Sequence, residues 1–257
     1  MFMKSKRGSH VGMILSFVIF ITFIVFLYSV VKPAINTGTD KKSILSSLET
    51  QVIKNVSSNL TSTTVQISNN PNKNCVVFAN LLTALEIQPP YPLIVKNDLE
   101  NVQEAYEGSV GTEFGGLKID NRDKKNSVYD SFFNIYYSTN FTGLTTKDVS
   151  SCPLLIYDIN SNTGDYAIGS VTITKYAFES KINYLESYYN SNYDQLKIYL
   201  KIPPGNDFGF GFIKSDGTKT EVGTAPEKAS VYADEIPIQY VDANANILSG
   251  FINLKVW

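Results

Sequence analysis

Histidine and cysteine limit the chemistry that this chain of 257 residues can perform. The single histidine is His10, which lies beside a long apolar run near the N-terminus. Residues 33–257 therefore contain no histidine, which excludes Ser-His-Asp and Cys-His nucleophile arrangements in that part of the chain. Zinc sites with histidine ligands are excluded for the same reason, and two cysteines that pair with each other leave no thiolate ligand. We predict no catalytic residues, no metal and no cofactor.

One polar string has the alternating oxygen ligands of a calcium loop. It runs from Asp158 to Asp165 (DINSNTGD), but an EF-hand would need Gly at its sixth position and Glu at its twelfth. Those positions are Thr163 and Gly169 here. Asn and Gly between two apolar segments also suit a hairpin turn, which we favour over calcium binding. The calcium alternative would use Asp158, Asn160, Asn162 and Asp165.

Pairs of carboxylates are the remaining candidates for catalysis. A glycosidase needs two carboxylates that flank a cleft. Asp234 and Glu235 are neighbours in a predicted strand, so their side chains point to opposite faces. Glu100 and Glu104 have the spacing of the exposed side of a short helix, and Asp242 begins a predicted turn with Asn residues at alternate positions. None of these patterns indicates a catalytic site, so we predict that the chain is not an enzyme.

Both cysteines, Cys75 and Cys152, lie in the large C-terminal part of the chain. A disulfide between them is expected if that part is in an oxidising compartment. It would close a loop of about 78 residues, for which the chain-entropy relation gives on the order of 4 kcal/mol of stabilisation. The alternative is two separate buried thiols.

Aromatic residues are concentrated in two segments. Phe208, Phe210 and Phe212 alternate with glycine, which predicts a core strand whose glycine side allows another backbone to approach. An aromatic contact surface for assembly is the alternative. A second group is a candidate adhesive face, because tyrosine loses little entropy for its contact area. Its members are Tyr184, Tyr188, Tyr189, Tyr193 and Tyr199.

Three triplets match the acceptor pattern for N-glycosylation. Their asparagines are Asn55, Asn59 and Asn140. Such triplets also arise by chance in a chain rich in Asn, Ser and Thr. Together with the cysteine pair, they indicate that the C-terminal part lies outside the cytoplasm.

The run from Val11 to Val31 contains no charged residue, and at about 1.5 Å per residue it spans about 30 Å, the thickness of a bilayer core. We therefore predict a single-pass helix in the cell membrane that contacts lipid along this run.

Residues 33–257 carry 18 Lys and Arg against 24 Asp and Glu, so this part is mildly acidic and offers no basic surface for nucleic acid. Lys4, Lys6 and Arg7 form a basic cluster at the membrane edge, which acts as an orientation signal.

The basic residues followed by Gly8, Ser9 and the apolar run resemble the N-terminus of type IV pilin-like proteins, including the archaeal class. In that family a membrane peptidase cuts after the glycine, and the apolar helix packs into a filament or stays in the membrane beneath a β-rich head. The resemblance implies processing between Gly8 and Ser9 and self-assembly through the N-terminal helix. Pilins usually have Glu at the fifth mature position, where this chain has Met13. An uncleaved signal anchor is the alternative.

Hydrophobic periodicity divides the chain into four parts. A basic tail (1–10) precedes the transmembrane helix (11–32), and Pro33 should end this helix before a flexible break at 34–40. An amphipathic stalk helix within 33–60 follows, and a β-rich domain occupies 61–257. One helix, from Phe178 towards Leu200, interrupts the strands. The strands are predicted near 63–68, 75–79, 92–96, 132–137, 154–158, 166–174, 208–213, 231–241 and 247–256.

These patterns predict an α+β protein with an N-terminal transmembrane helix and a β-rich extracytoplasmic domain, formed by an antiparallel sheet or sandwich covered by a helix. The function that we expect is that of a non-enzymatic, membrane-anchored structural or assembly protein of the cell surface, such as a pilin-like subunit of a filament or secretion apparatus. An anchored binding module for a sugar, peptide or protein partner is the alternative.

Overall fold

The computed structural model describes residues 8–110, 113–125, 128–148, 151–158, 161 and 163–257. It has the predicted α+β architecture, with an apolar N-terminal helix followed by a large β-rich domain. The expectations for Asn160 and Asn162 and for the basic tail up to Arg7 concern residues outside the described ones.

The N-terminal helix, α1, runs without interruption from Gly8 to Val56 over 49 residues. The expected break at Pro33 and residues 34–40 is wrong. Proline removes one backbone donor, so the Ser29 carbonyl loses its helical partner, but the turns on either side continue. The helix ends at Val56, before the predicted limit at residue 60, because Ser57 already pairs with Ala177 in the sheet.

Eighteen strands and three shorter helices follow α1 among the described residues. The elements that precede α3 are β1 Ser57–Ile67, β2 Val76–Phe78, α2 Leu81–Ala84, β3 Leu93–Asn97, β4 Val102–Val110, β5 Glu113–Asp120, β6 Lys124–Lys125, β7 Val128–Tyr129, β8 Phe132–Tyr137, β9 Thr146–Asp148, β10 Leu154–Leu155, β11 Tyr157–Asp158, β12 Thr163–Gly164, β13 Tyr166–Ile168 and β14 Thr172–Phe178. The remaining elements are α3 Glu179–Ser191, α4 Tyr193–Tyr199, β15 Phe208–Ile213, β16 Lys219–Val222, β17 Tyr232–Val241 and β18 Ile247–Val256.

Most strands belong to one sheet with the order β10-β2-β5-β4-β3-β8-β1-β14-β17-β18-β15-β16. Neighbours are antiparallel except in the pairs β2–β10, β4–β9 and β14–β17. The last of these consists of two residue pairs, Ala177 with Tyr240 and Phe178 with Val241. This short connection divides the sheet into a first lobe, β1 to β14, and a second lobe, β15 to β18 with α3, α4 and the end of α1.

The second lobe is built around the C-terminal part of α1. Leu48, Val52 and Val56 recur at helical spacing on one side of α1, and all three are completely buried. They pack in one cluster with Phe208, Phe210 and other residues of β15, β17, β18, α3 and α4. The phenylalanines of β15 thus form a core strand and not an exposed contact surface.

The glycines of β15 face crowded surroundings, as the sequence predicted. A Cβ atom at Gly209 would lie 2.9 Å from the Gly223 carbonyl oxygen and 3.2 Å from the Trp257 ring. A Cβ atom at Gly211 would lie 3.1 Å from the Thr220 carbonyl oxygen. Glycine at these positions allows the end of the chain and β16 to approach closely.

The first lobe has a separate core in which Phe78, Phe133 and Tyr166 meet edge to face. The hairpin of β4 and β5 completes this lobe and was not predicted. Glu100 and Glu104 do not share a helix, because the Asn97 side-chain oxygen accepts hydrogen bonds from the Leu99 and Asn101 N–H groups and turns the chain into β4.

Replacing Leu48 by alanine should lower the free energy of unfolding by about 2–5 kcal/mol, because it leaves a cavity between α1 and the sheet. Ser47→Ala, on the exposed side of the same turn, should change it by less than about 0.5 kcal/mol. Urea unfolding of the detergent-solubilised chain measures both. Equal effects of the two substitutions would mean that α1 does not belong to the core.

Candidate functional site: a tyrosine groove beside the long helix

The predicted calcium string forms a small hairpin in its described part. Tyr157 pairs with Gly164 and Asp158 with Thr163. The Asp165 carboxylate accepts a hydrogen bond of 2.9 Å from the Ile156 N–H, and the Asp158 carboxylate accepts one of 2.8 Å from the Ser161 hydroxyl. Both carboxylates thus have partners within the turn, which supports the turn over the calcium alternative.

The loop between β17 and β18 contacts the ammonium group of Lys96. Lys96 is only 2% exposed, and its Nζ donates to the Ala245 carbonyl at 3.2 Å and to the Asn246 side-chain oxygen at 2.8 Å. Asp242 shapes this loop by accepting hydrogen bonds from the Asn244 and Asn246 N–H groups. Because Lys96 belongs to β3, this ammonium group connects the two lobes, and the Asp-x-Asn-x-Asn spacing serves the fold.

Cys75 and Cys152 lie at disulfide-bond distance, with their Cα atoms 5.4 Å apart. They precede β2 and β10, which pair in parallel. The sulfur atoms and an oxygen of Asp120 lie within 4.8 Å of one another, a spacing that metal ligands also show. The sulfurs are bonded to each other, and the Asp120 carboxylate has Lys147 and Lys118 as partners. Burial alone would raise the pKa of Asp120, but the hydrogen bonds from Lys147 and Lys118 lower this pKa below its usual value.

The other predicted positions are distributed as follows. Gly8 and Ser9 are the first two residues of α1. Asn55 is half-buried in the last turn of α1, Asn59 is exposed in β1, and Asn140 is half-buried in the loop after β8. Asp234 and Glu235 are both exposed on β17.

The five tyrosines of α3 and α4 divide into an inner and an outer group. Tyr189 and Tyr193 pack against Phe208, and their hydroxyls donate to the Phe208 carbonyl at 2.7 Å and to the Asp207 carboxylate at 2.9 Å. Burial is the main reason why the pKa of each of these hydroxyls is raised. Tyr184 and Tyr199, which are 68% and 59% exposed, form the outer group together with half-buried Tyr188, whose ring stacks on that of Tyr184.

The outer tyrosines line a groove of about 830 Å³ between the end of α1, α3 and α4, which we call the tyrosine groove. The rings of Tyr184 and Tyr188 are nearly parallel, with an interplanar angle of 7° and centroids 6.0 Å apart. Tyr199 donates its hydroxyl proton to the side-chain oxygen of Asn55. The volume is in the range typical of ligand sites. The lining comprises Asn55, Val56, Asn140, Ser180, Lys181, Tyr184, Leu185, Tyr188, Gln195, Leu196, Ile198 and Tyr199.

The lining of the tyrosine groove is mainly aromatic, aliphatic and neutral polar. Its described lining contains no carboxylate, histidine or cysteine. The single cation, Lys181, donates to the Ser57 carbonyl at 2.9 Å, and burial, followed by repulsion from Lys175, lowers its pKa. The exposed surface therefore consists of aromatic rings, aliphatic groups and neutral amides and hydroxyls.

The sequence indicated the tyrosines but not the groove. Tyr184 comes two residues after buried Ile182, about 200° around the helix, which is a signal for exposure. The two asparagines and Ile198 gave no such signal, because Asn55, Asn140 and α4 are brought together only by the tertiary fold.

Removing the Tyr193 hydroxyl by Tyr193→Phe should lower the free energy of unfolding by about 0.5–1.5 kcal/mol, since Asp207 loses a hydrogen-bond donor and the Phe208 N–H loses its acceptor. The same chemical change at exposed Tyr184 should have no measurable effect. Thermal unfolding of both variants tests the division into inner and outer tyrosines, and a loss at Tyr184 as large as that at Tyr193 would contradict it.

Comparisons of the chain with protein-family models, with curated proteins and with solved structures find no match.

Proposed function

We propose that the chain is a non-enzymatic, membrane-anchored structural protein of the cell surface, which assembles through its N-terminal helix. The observation that carries this proposal is the division of α1 into two parts. From Met13 to Val30 every large apolar side chain is 41–68% exposed, whereas Leu48, Val52 and Val56 of the same helix are completely buried.

A bilayer is the environment that best explains the exposed part. A continuous apolar surface of this size is unfavourable in water. The stretch Gly12–Val30 has 19 residues, long and apolar enough to cross a membrane. A signal sequence has the same character, but its apolar region is shorter and is followed by small residues at a cleavage site, whereas this run ends in Val31, Lys32 and Pro33, which favours a retained helix.

The location outside the cytoplasm is supported by the cysteine pair, since disulfides persist in oxidising compartments. The basic cluster of Lys4, Lys6 and Arg7 then lies on the cytoplasmic side. Thr22 and Ser29, the polar residues of the span with described contacts, donate to backbone carbonyls of their own helix and indicate no ion path.

Assembly through α1 is supported by the resemblance of residues around Gly8 to type IV pilin-like proteins, and by the plan of one long helix that projects from a β-rich head. A subunit of a filament or secretion apparatus would bury the exposed helical surface against other copies after leaving the lipid. The tyrosine groove favours a second candidate function, an anchored module that binds a sugar, peptide or protein partner.

Introducing charges into the span tests the anchor. Ile19→Lys combined with Phe23→Lys should oppose insertion by about 6 kcal/mol, at about 3 kcal/mol for each charge. We expect the double variant to leave the membrane fraction after alkaline washing, whereas Ile19→Leu with Phe23→Leu remains there. Retention of both proteins to the same extent would contradict an anchoring role for this helix.

The mature N-terminus tests the pilin-like form of the proposal. We expect the protein purified from its own membranes to begin at Ser9, because cleavage after Gly8 removes the basic tail and leaves a helix that starts with the apolar span. Intact mass determination measures this directly. A protein that begins at Met1 would contradict prepilin-type processing.

A further inference from the structure

We propose that Asn140 carries an N-linked glycan and that its sugar residues cover the tyrosine groove. This inference rests on the proposed location of the head outside the cytoplasm. It assigns a modification to one asparagine of the three acceptor triplets and an occupant to the exposed aromatic surface.

The backbone at the three acceptors distinguishes Asn140 from the others. Acceptor triplets are glycosylated in surface loops. Asn55 lies in the last helical turn, and the middle residue of its triplet, Val56, is completely buried. Asn59 lies inside β1, where it is opposite Lys175 in β14. Asn140 alone lies in a turn, which is closed by the hydrogen bond of 3.0 Å from the Phe141 N–H to the Ser138 carbonyl.

The position of Asn140 directs a glycan towards the aromatic surface. Its side chain lies on the rim of the tyrosine groove and also borders a smaller depression of about 240 Å³ beside Phe178. Its side-chain nitrogen donates to the Ser138 hydroxyl at 3.1 Å, a contact that a substituted amide retains with its remaining N–H. The first sugars would therefore leave the loop directly at the groove.

The chemistry of the groove matches that of a neutral sugar. A pyranose ring has an apolar C–H face, which packs well on an aromatic ring, and hydroxyls at its edge, which need hydrogen-bond partners. Tyr184 and Tyr199 offer exposed rings, and exposed Ser180 and Gln195 offer neutral donors and acceptors. Ile198, which is 70% exposed, adds an aliphatic contact for an acetyl methyl group. The described lining has no carboxylate that would select a cation.

The modification itself is a group transfer from a lipid diphosphate-linked oligosaccharide, catalysed by a membrane glycosyltransferase. The Asn140 amide nitrogen forms a bond to the anomeric carbon of the first sugar. The bond from that carbon to the diphosphate oxygen breaks, the lipid diphosphate leaves with the electron pair, and one amide proton is transferred to a base of the enzyme.

Two measurements on the full chain purified from its own membranes test the proposal. Glycopeptide mass spectrometry of a protease digest should find the sugar on Asn140. Nitration of surface tyrosines, followed by peptide mapping, should then show that Tyr184 and Tyr199 react several-fold faster after enzymatic release of the glycan. Tyr106 in β4, which does not border the groove, should react at the same rate in both forms.

Matched variants separate glycosylation from misfolding. Asn140→Gln should abolish the mass addition and produce the same rise in tyrosine reactivity without enzymatic treatment, whereas Asn59→Gln should leave both unchanged. Unmodified Asn140 in the native protein would overturn the proposal, and so would a glycan at Asn140 whose removal leaves Tyr184 and Tyr199 equally reactive. Alkaline washing of the same membranes measures membrane anchoring separately. A failure of the glycan proposal can therefore be distinguished from a failure of the proposed anchor.

Discussion

The structure depends on a single helix, α1, whose two parts differ completely in burial. The C-terminal part of α1 contributes Leu48, Val52 and Val56 to the core of the second lobe, and its N-terminal part presents apolar side chains on all sides. Burying each of these side chains contributes roughly 1.5–3 kcal/mol, which is a large fraction of the net stability of about 5–15 kcal/mol that is typical of a domain. The head is therefore folded around the same element that we assign to the membrane.

In the anchored form that we propose, this constraint sets the distance between the β-rich domain and the bilayer. The helix from Val30 to Leu45 rises about 22 Å at about 1.5 Å per residue, and no loop interrupts it. The second lobe is attached to this helix by its own core. The first lobe is attached through the chain connections from α1 to β1 and from β14 to α3, and through the two residue pairs between β14 and β17. The buried cluster of Leu60, Phe178 and Val241 and the Lys96 ammonium group add further contacts between the lobes. The disulfide lies in the first lobe, away from these connections, and stabilises the pairing of β2 with β10.

The features that the sequence predicted well are those with strong local periodicity. The Phe-Gly strand β15, the final hairpin of β17 and β18 and the helix α3 have a clear period of two or nearly four residues. The apolar span is recognised by its uninterrupted length instead. The β4–β5 hairpin was missed because charged and glycine residues obscure its alternation. The break expected at Pro33 was wrong, because α1 continues through it from Gly8 to Val56.

The candidate site depends almost entirely on tertiary structure. Asn55, Asn140 and the outer tyrosines come from three separate parts of the chain, and each part alone has an ordinary local role. The glycosylation triplets were visible in the sequence, but their conformations were not, and only the fold shows that one lies in a helix, one in a strand and one in a turn.

The central claim is that α1 belongs to the interior of the head as well as to the membrane. Thermal unfolding of two shortened chains, residues 41–257 and residues 57–257, tests it most directly. The account predicts that the chain starting at residue 41 is soluble without detergent and unfolds cooperatively. This chain lacks the apolar span but retains the buried residues Leu48, Val52 and Val56. In the chain starting at residue 57, the second lobe should fail to fold, because its core lacks Leu48, Val52 and Val56. Cooperative unfolding of both chains at the same Tm would contradict the account.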